Sequence, residues 1–397
     1  MIPDSICLMP WIHLYIDTSG YAKACCNSSI TYGNVNQQSV NEIWKGEAIQ
    51  TFRKNLLQGV KDKRCASCFK REDANKSSIR TETLNKFPSY IEQVKNTTPE
   101  GICKESSPIY LDIRYSNVCN LKCRTCWHGA SSSWFFDAKS LKNNIGDKAI
   151  IKATPNNNKL INELFAFDTE FEEIYFAGGE PLMMEEHYLF LDQLIKNKQT
   201  SVHLRYNTNL STLTLKDKNI VNYWKQFSEI TLAVSIDATH KKVEYIRSGL
   251  SWDKLLSNLS YIKEHCPHVH IEIAPTVSIL SILTLDELHK YFFEKGFISV
   301  NDIYLNILDR PDYYNIKIAP EELKMKIQEK LEKHIIWMQE NNAKESLIDE
   351  FNAVIEYMNL SSTQNQLNSF VKYTQQLDVM RNEKFEEIFP ELQMAVS

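Results

Sequence analysis

Cysteine is the residue type with which this chain could do unusual chemistry, and it has ten of them, at positions 7, 25, 26, 65, 68, 103, 119, 123, 126 and 266. Cys119, Cys123 and Cys126 stand at spacings of four and three, directly after residues 109–115, which read as a strand. A cubane iron–sulfur cluster needs one thiolate for each iron it presents to the protein, so three ligands on one short loop leave one iron open to a small molecule. Zinc is the competing occupant. It normally closes its site with a fourth Cys or His, and His128 is near enough in sequence to supply one. A second group, Cys7, Cys25, Cys26 and the pair Cys65 and Cys68, spans the first 68 residues. It admits either a zinc knuckle or a second cubane. Cys25 and Cys26 compete for one place, because neighbours on a strand point to opposite faces. Seven of the ten cysteines fall in CC, C-x2-C or C-x3-C-x2-C groupings. That is metal-site clustering and not a disulfide framework, and it predicts a reducing, cytoplasmic compartment. Cys103 stands alone and reads as an incidental thiol.

About fifty residues beyond the cysteine loop, a second strand-like run, 174–177, leads into Gly178-Gly179-Glu180-Pro181. Paired glycines permit a backbone approach that a side chain would block. The cysteine triplet followed by this GGEP segment, each at the end of a strand, resembles the radical SAM superfamily. The resemblance implies that Cys119, Cys123 and Cys126 hold a [4Fe–4S] cluster whose open iron chelates S-adenosylmethionine. It also implies that Gly178, Gly179, Glu180 and Pro181 lie against the methionyl amine of that cofactor. The activity to expect is that of a radical SAM oxidoreductase or transferase: reductive cleavage of S-adenosylmethionine to a 5′-deoxyadenosyl radical, which abstracts hydrogen from a substrate. Asn207 and Ser235, at later strand ends, resemble residues that touch the ribose and carboxylate of S-adenosylmethionine, and Arg247 resembles the arginine that pairs with the carboxylate. One position departs from the family: the residue before the third cysteine is often aromatic, and here it is Thr125, with Trp127 the nearest aromatic.

The order Cys7, Pro10-Trp11, Gly20, Cys25, Gly33-Asn34-Val35, Glu42-Ile43-Trp44 and Cys65-x-x-Cys68 resembles the twitch half of a SPASM domain. That accessory module carries an auxiliary [4Fe–4S] cluster, which assists electron transfer. The resemblance implies Cys7, Cys25, Cys65 and Cys68 as its ligands, with Cys26 as the alternative to Cys25. The module usually follows the barrel, and here it precedes it.

The elements that must position these residues follow from periodicity. Residues 1–68 read as a small α+β module: a strand over 11–16, a turn ending at Gly20, a return strand through Cys25, and a helix from about Ser39, its N-cap. Residues 69–108 are polar and read as a connector with a helix near 69–85. Over 109–319, strand-like segments at 109–115, 173–177, 202–207, 230–236, 269–277 and 302–307 alternate with helical ones, which argues for a parallel sheet with right-handed crossovers. The fold class expected is α/β, a partial (β/α)6 barrel of the radical SAM type. Active sites of parallel barrels gather at the C-terminal strand ends, where both motifs stand. Residues 320–397 read as a C-terminal helical extension, starting at Pro320-Glu321-Glu322 and continuing near 345–359 and 365–389.

Substrate groups are harder to single out. Glu272, Tyr304, Asn306 and Asp309, on or beyond the late strands, are candidates to hold substrate or accept a proton; side chains that only fill the barrel are the alternative. Twitch and SPASM relatives often modify peptides or proteins, so a peptide or protein side chain is the expected substrate, with a small molecule as the other choice. A reducing partner such as flavodoxin or ferredoxin is implied. Two rival functions remain, a nucleic-acid-modifying radical SAM enzyme and a zinc-containing binding protein without catalysis. A net charge of -5 argues against nucleic acid. No uninterrupted apolar run reaches membrane-spanning length.

Overall fold

In a computed structural model the chain is described at residues 2–73, 77–167, 169–360 and 362–395. It packs as two units, each gathered from separate stretches: Met1–Val118, Ile150–Tyr206 and Lys225–Ile230 in one, and Cys119–Ala149, Asn207–Trp224 and Thr231–Ser397 in the other.

In the first unit the strands His13–Ile16, Tyr21–Lys23 and Thr31–Asn34 form an antiparallel meander. His13–Ile16 also pairs in parallel with Tyr110–Ile113. That strand pairs in parallel with Glu173–Phe176, and Glu173–Phe176 with residues 203–206 of the strand His203–Thr208. The N-terminal hairpin therefore continues the parallel sheet. The shared register sorts the side chains into two faces. Leu14, Leu111, Ile174 and Leu204 make one buried row, and Ile16, Ile113, Phe176 and Tyr206 the next. The opposite face carries His13, Tyr110, Glu173 and His203, then Tyr15, Asp112, Tyr175 and Arg205. The polar segment after Cys68 folds onto that face. Its helix Ile79–Lys86 starts from a Ser78 capping box, Lys86 pairs with the buried Glu173, and the Phe87 ring lies 6.0 Å from Tyr110.

Several boundaries here differ from the expected ones. The return strand expected through Cys25 is only Tyr21–Lys23, so Cys25 and Cys26 lie beyond it, and the helix expected near 69–85 is two, Ala66–Asp73 and Ile79–Lys86, the second restarted by the Ser78 cap. Residues 9–12 form a helical turn, Met9–Ile12, and the strand begins only at His13, because Pro10 suits the first turn of a helix. The helix expected from Ser39 is two, Val40–Trp44 and Glu47–Leu57, with Gly46 capping the second; Ser39 and Glu42 form the capping box of the first.

In the second unit, residues 231–234 of the strand Glu229–Val234 pair in parallel with His270–Ile273. Thr276–Val277 pairs in parallel with Asn306–Ile307, and Ile273 bridges Ile303. The segment expected as one strand over 269–277 breaks at Pro275, which has no N–H to donate to a ladder. Helices His240–Ile246, Trp252–His265 and Leu285–Glu294 alternate with these strands. The C-terminal helices are Glu321–Glu340, Glu345–Asn359 and Leu367–Arg381. The run expected over 365–389 is not continuous: Asn382 takes a left-handed conformation (φ 53°) and ends it, and Phe385–Ile388 follows.

His289 and His334 join two of these helices. Their ring nitrogens lie 2.9 Å apart, and His289 Nε2 lies 3.0 Å from the Val300 carbonyl oxygen, so that nitrogen donates and Nδ1 accepts from His334. Burial pushes His289 down to about 4 and His334, beside it, down to about 3. An unfolded imidazole takes its proton near pH 6.5. Below that value the unfolded chain binds more protons than the folded one, so stability falls with pH, by about 1.4 kcal/mol per unit for each ring that titrates only on unfolding. Denaturant midpoints should drop between pH 7 and pH 5, and a His289→Gln/His334→Leu variant should show a flatter slope. An unchanged slope would remove the pair from the account.

Candidate functional site

The cysteine loop is held by partners outside itself. The Ser131 hydroxyl donates to the Leu121 carbonyl (2.7 Å), the Ser133 hydroxyl to that of Cys119 (2.7 Å), and Trp134 Nε1 to that of Cys123 (2.9 Å). The Arg124 N–H donates to the Ile246 carbonyl (2.7 Å), and the two-residue strands Lys122–Cys123 and Arg247–Ser248 pair antiparallel. The thiols meet polar groups as well. Asn209 Nδ2 lies 3.7 Å from Cys119 Sγ, and Arg247 Nη1 lies 3.8 Å from Cys123 Sγ. Burial pushes the Cys126 thiol up to about 12, with Cys123 and Cys119 adding to the rise and Arg247 opposing it. Cys123 is raised by burial against the same guanidinium.

Among the later residues singled out from sequence, the Ser235 hydroxyl donates to Asn207 Oδ1 (3.0 Å). Arg247 is buried, and its Nη2 donates to Asp237 Oδ1 at 2.8 Å. The same oxygen accepts the Thr276 N–H at 2.7 Å. The guanidinium is thus fixed between a carboxylate and the cysteine loop. His128 is buried with Nε2 3.1 Å from the Ala149 carbonyl oxygen. Trp127 is 67% exposed, and a Cβ on Gly129 would stand 2.2 Å from its ring. Of the substrate candidates, Glu272 is half-buried on His270–Ile273 and Tyr304 is 59% exposed. Asn306 is exposed opposite Thr276. Asp309 accepts from the Tyr357 hydroxyl at 3.4 Å.

In the first unit the GGEP segment is stapled to the residues that lead into Cys119. The Gly179 N–H donates to the Ser116 carbonyl (3.3 Å), and the Glu180 N–H to that of Val118 (2.7 Å). Gly178 has φ +124°, and a Cβ on Gly179 would stand 2.1 Å from the Val118 carbonyl oxygen. Both positions therefore require glycine. Glu180 is buried, and its carboxylate accepts the Leu182 N–H (3.2 Å), shaping the turn Pro181–Met183.

Beside this segment is a cluster that the sequence reading missed. Arg114 donates twice to Asp112 (2.7 and 3.0 Å), and its guanidinium carbon lies 5.7 Å from the Tyr15 ring and 5.1 Å from that of Tyr175. Its Cδ lies 3.5 Å from where a Gly178 Cβ would be. The available signal was the polar alternation Asp112-x-Arg114, Glu173-x-Tyr175 and His203-x-Arg205, which gains meaning only once the strands are in register.

Cys7, Cys25, Cys65 and Cys68 line one small cavity, with Phe69 and Arg80 among its other walls. Cys26, the alternative to Cys25, is exposed and is not part of that lining. Burial pushes the Cys7 thiol up to about 12, with Cys65 and Cys68 contributing. Cys25 is pushed up as well, by burial first and by its cysteine neighbours after it. Among the described residues no three His, Cys, Asp or Glu side chains are grouped tightly enough for a single metal ion. Four thiols around a walled space form a donor set that suits a multi-iron cluster.

Gly179→Ala should displace residues 116–118 and with them the start of the cysteine loop. We expect a loss of stability of ~1–3 kcal/mol or more, read from denaturant unfolding, together with lower iron retention on reconstitution. Parent-like values for both would show that the close approach is dispensable.

Residues 7–69 match the SPASM family, described as an iron-sulfur cluster-binding domain, and residues 113–277 match the radical SAM superfamily. No curated protein matches the chain. Among solved structures, native anSMEcpe with bound AdoMet aligns at a TM-score of 0.40 and 17% identity, covering 59% of this chain and 62% of its own. SuiB of Streptococcus suis bound to S-adenosylmethionine aligns at 0.38 and 16% identity, covering 87% and 70%. The chain thus spans about 62% of the length of the first of these. The α/β order of strands and helices is that of a radical SAM partial barrel, preceded by a small α+β module and followed by helices. Residues 113–277 thus form a radical SAM domain and residues 7–69 a SPASM-type domain ahead of it, and these domains imply as cofactors S-adenosylmethionine, the [4Fe–4S] cluster that binds it and an auxiliary iron–sulfur cluster.

Proposed function

We propose that this protein is a radical SAM oxidoreductase or transferase in which Cys119, Cys123 and Cys126 hold the cluster that binds S-adenosylmethionine. When bound, that pair supplies reductive cleavage of the sulfonium C–S bond and a 5′-deoxyadenosyl radical able to take hydrogen from a substrate. The protein's own residues position and shield. Gly178 and Gly179 let the GGEP segment pack directly on residues 116–118, and we assign that segment to the ligand amine. Asn207 and Ser235, joined by their hydrogen bond, offer polar groups to a ribose or carboxylate. Arg247, held by Asp237, contributes positive charge beside Cys123, which favours thiolate there. In the N-terminal module Cys7, Cys25, Cys65 and Cys68 are the ligands we assign to an auxiliary [4Fe–4S] cluster that assists electron transfer. The module boundary near residue 68, the connector over 69–108 and the barrel over 109–319 belong to the same reading.

The observation that carries the proposal is the direct backbone join between the GGEP segment and the residues entering Cys119. It joins the GGEP segment to the residues that immediately precede Cys119 in the chain. For the substrate we favour a peptide or protein side chain. The partly open row Tyr15, Tyr175 and Arg205, with Arg114 behind it, offers aromatic and cationic contacts for it, and Glu272, Tyr304, Asn306 and Asp309 remain candidates beyond the late strands. A reductant such as flavodoxin or ferredoxin, and a reducing cytoplasmic setting, complete the proposal. No helix among the described residues is long and apolar enough to cross a membrane.

After anaerobic reconstitution the chain should bind about eight irons, two cubanes' worth, and a Cys119/Cys123/Cys126→Ala variant about four. With dithionite and S-adenosylmethionine, the parent should yield methionine and 5′-deoxyadenosine and the triple variant neither. Cys25→Ser should lose the auxiliary irons while Cys26→Ser keeps them. No cleavage by a fully loaded parent would end the radical SAM reading, and iron near zero in the triple variant would leave the module with zinc or without metal.

A further inference from the structure

The C-terminal helices lie outside both matched segments, yet one of them reaches the cysteine loop. Arg124 stands between Cys123 and Cys126, and its side chain is fully buried. Its Nη2 donates to Asp378 and to Glu383 Oε2 (2.6 Å), and its guanidinium carbon lies 3.7 Å from the centre of the Tyr245 ring. The Tyr245 hydroxyl donates to Asp378 Oδ1 at 2.7 Å. The other Asp378 oxygen accepts the Phe385 N–H (2.7 Å), and the Glu383 N–H donates to the Asp378 carbonyl (3.0 Å). Both carboxylates are thereby fixed on the turn that left-handed Asn382 creates after Leu367–Arg381. Three residues past Asp378, Arg381 Nε donates to Asp137 Oδ2 (2.9 Å). Its guanidinium lies 4.7 Å from the Trp134 ring, whose Nε1 donates to the Cys123 carbonyl. Two elements of the tail therefore bear on the backbone around Cys123, one through a buried cation and one through an indole.

A tail that merely covered the barrel would need apolar contact and no buried charge, because sequestering a guanidinium from water is costly unless carboxylates accompany it. The carboxylates are supplied here from far along the chain, 254 and 259 positions away in sequence. We infer that Asp378 and Glu383 are positioning residues for the cysteine loop, acting through Arg124 to fix the backbone between Cys123 and Cys126 and the charge around a cluster held there. This rests on the proposed radical SAM reading. The reduction potential of an iron–sulfur cluster follows nearby net charge, hydrogen bonds to its sulfurs and solvent access. The triad of one cation and two carboxylates carries a net negative charge, so replacing either carboxylate by its amide makes the surroundings less negative and reduction easier.

The test uses the full chain, reconstituted anaerobically, with a redox titration of the electron paramagnetic resonance signal that changes when S-adenosylmethionine is added. Asp378→Asn and Glu383→Gln should each move the midpoint of that signal to more positive potential, and the double variant further. Asp378→Glu, which keeps the charge, should titrate close to the parent. Glu391→Gln breaks a different tail contact, Lys242 Nζ to Glu391 Oε1 at 2.5 Å, and should leave the midpoint in place. If the amide variants lose about four irons while Glu391→Gln keeps them, the loop depends on the carboxylates and the inference stands. Amide variants with full iron and the parent midpoint would overturn it, as would an equal shift in Glu391→Gln. A parent with no signal that responds to S-adenosylmethionine would overturn the radical SAM reading itself, and this inference with it.

Discussion

A loop that presents three thiols to a metal cluster cannot also close its backbone hydrogen bonds in a helix or a long strand, because regular structure would turn successive side chains to different faces. Buried carbonyls and N–H groups must nonetheless be paired. In this protein the Cys126 N–H bonds to the Cys123 carbonyl within the loop, and further pairing comes from outside it, through the hydroxyls of Ser131 and Ser133, the indole of Trp134, and the backbone of residues 246–248. Much of the surrounding chemistry follows from that requirement. Serines stand where hydroxyl donors are needed, a tryptophan places its one donor on Cys123, and a two-residue strand suffices because the loop can form no longer ladder. Arg124 extends the same logic to a charge, and the C-terminal helices supply its counter-ions.

The GGEP segment obeys a steric version of the constraint. Two backbones come close enough for Glu180 to bond to Val118, and a single methyl group on Gly179 would collide with a carbonyl oxygen. Such an approach cannot be bought with side-chain rearrangement, since the obstacle is backbone. It is also local to the first unit. There the sheet gives one face to apolar packing and the other to ionisable groups paired with one another, such as Glu173 with Lys86 and Arg205, and Asp112 with Arg114. Burial alone would raise the Glu173 carboxyl, but Arg205, Lys86 and His203 outweigh it and hold it low. A parallel sheet buried on both sides usually carries near-continuous hydrophobic strands. Alternation of this kind marks a face kept for polar contacts.

The buried thiols link both cysteine sets to protonation. Without metal, desolvation keeps them in the thiol form, well above the ordinary cysteine range for Cys7 and Cys126. Ligation requires the thiolate, so metal binding releases protons and gains strength with pH. The cationic groups near these thiols, Arg247 beside Cys123 and Arg80 in the cavity lined by Cys7, Cys25, Cys65 and Cys68, favour the deprotonated form and lower that barrier.

Much was legible in the chain before any coordinates. The two motifs, the family, the six strand segments and the Ser39 cap all rest on local sequence: spacing along one loop, period-two alternation, a capping residue three positions before its partner. Local signals of this kind survive because the interactions behind them span only a few residues. What tertiary structure decided involves residues far apart. It placed Cys25 and not Cys26 in the lining of the cavity that Cys7, Cys65 and Cys68 share, paired His13–Ile16 with Tyr110–Ile113 across almost a hundred residues, and aligned Tyr15, Asp112, Tyr175 and Arg205 in one row. It also brought Asp378 and Glu383 to Arg124. Adjacent cysteines are equivalent until the turn that carries them is placed, and a charged residue has no identifiable partner until the register is set. A buried cation can likewise draw its counter-ions from anywhere in the chain, since only proximity in the fold, and no rule of spacing, selects them.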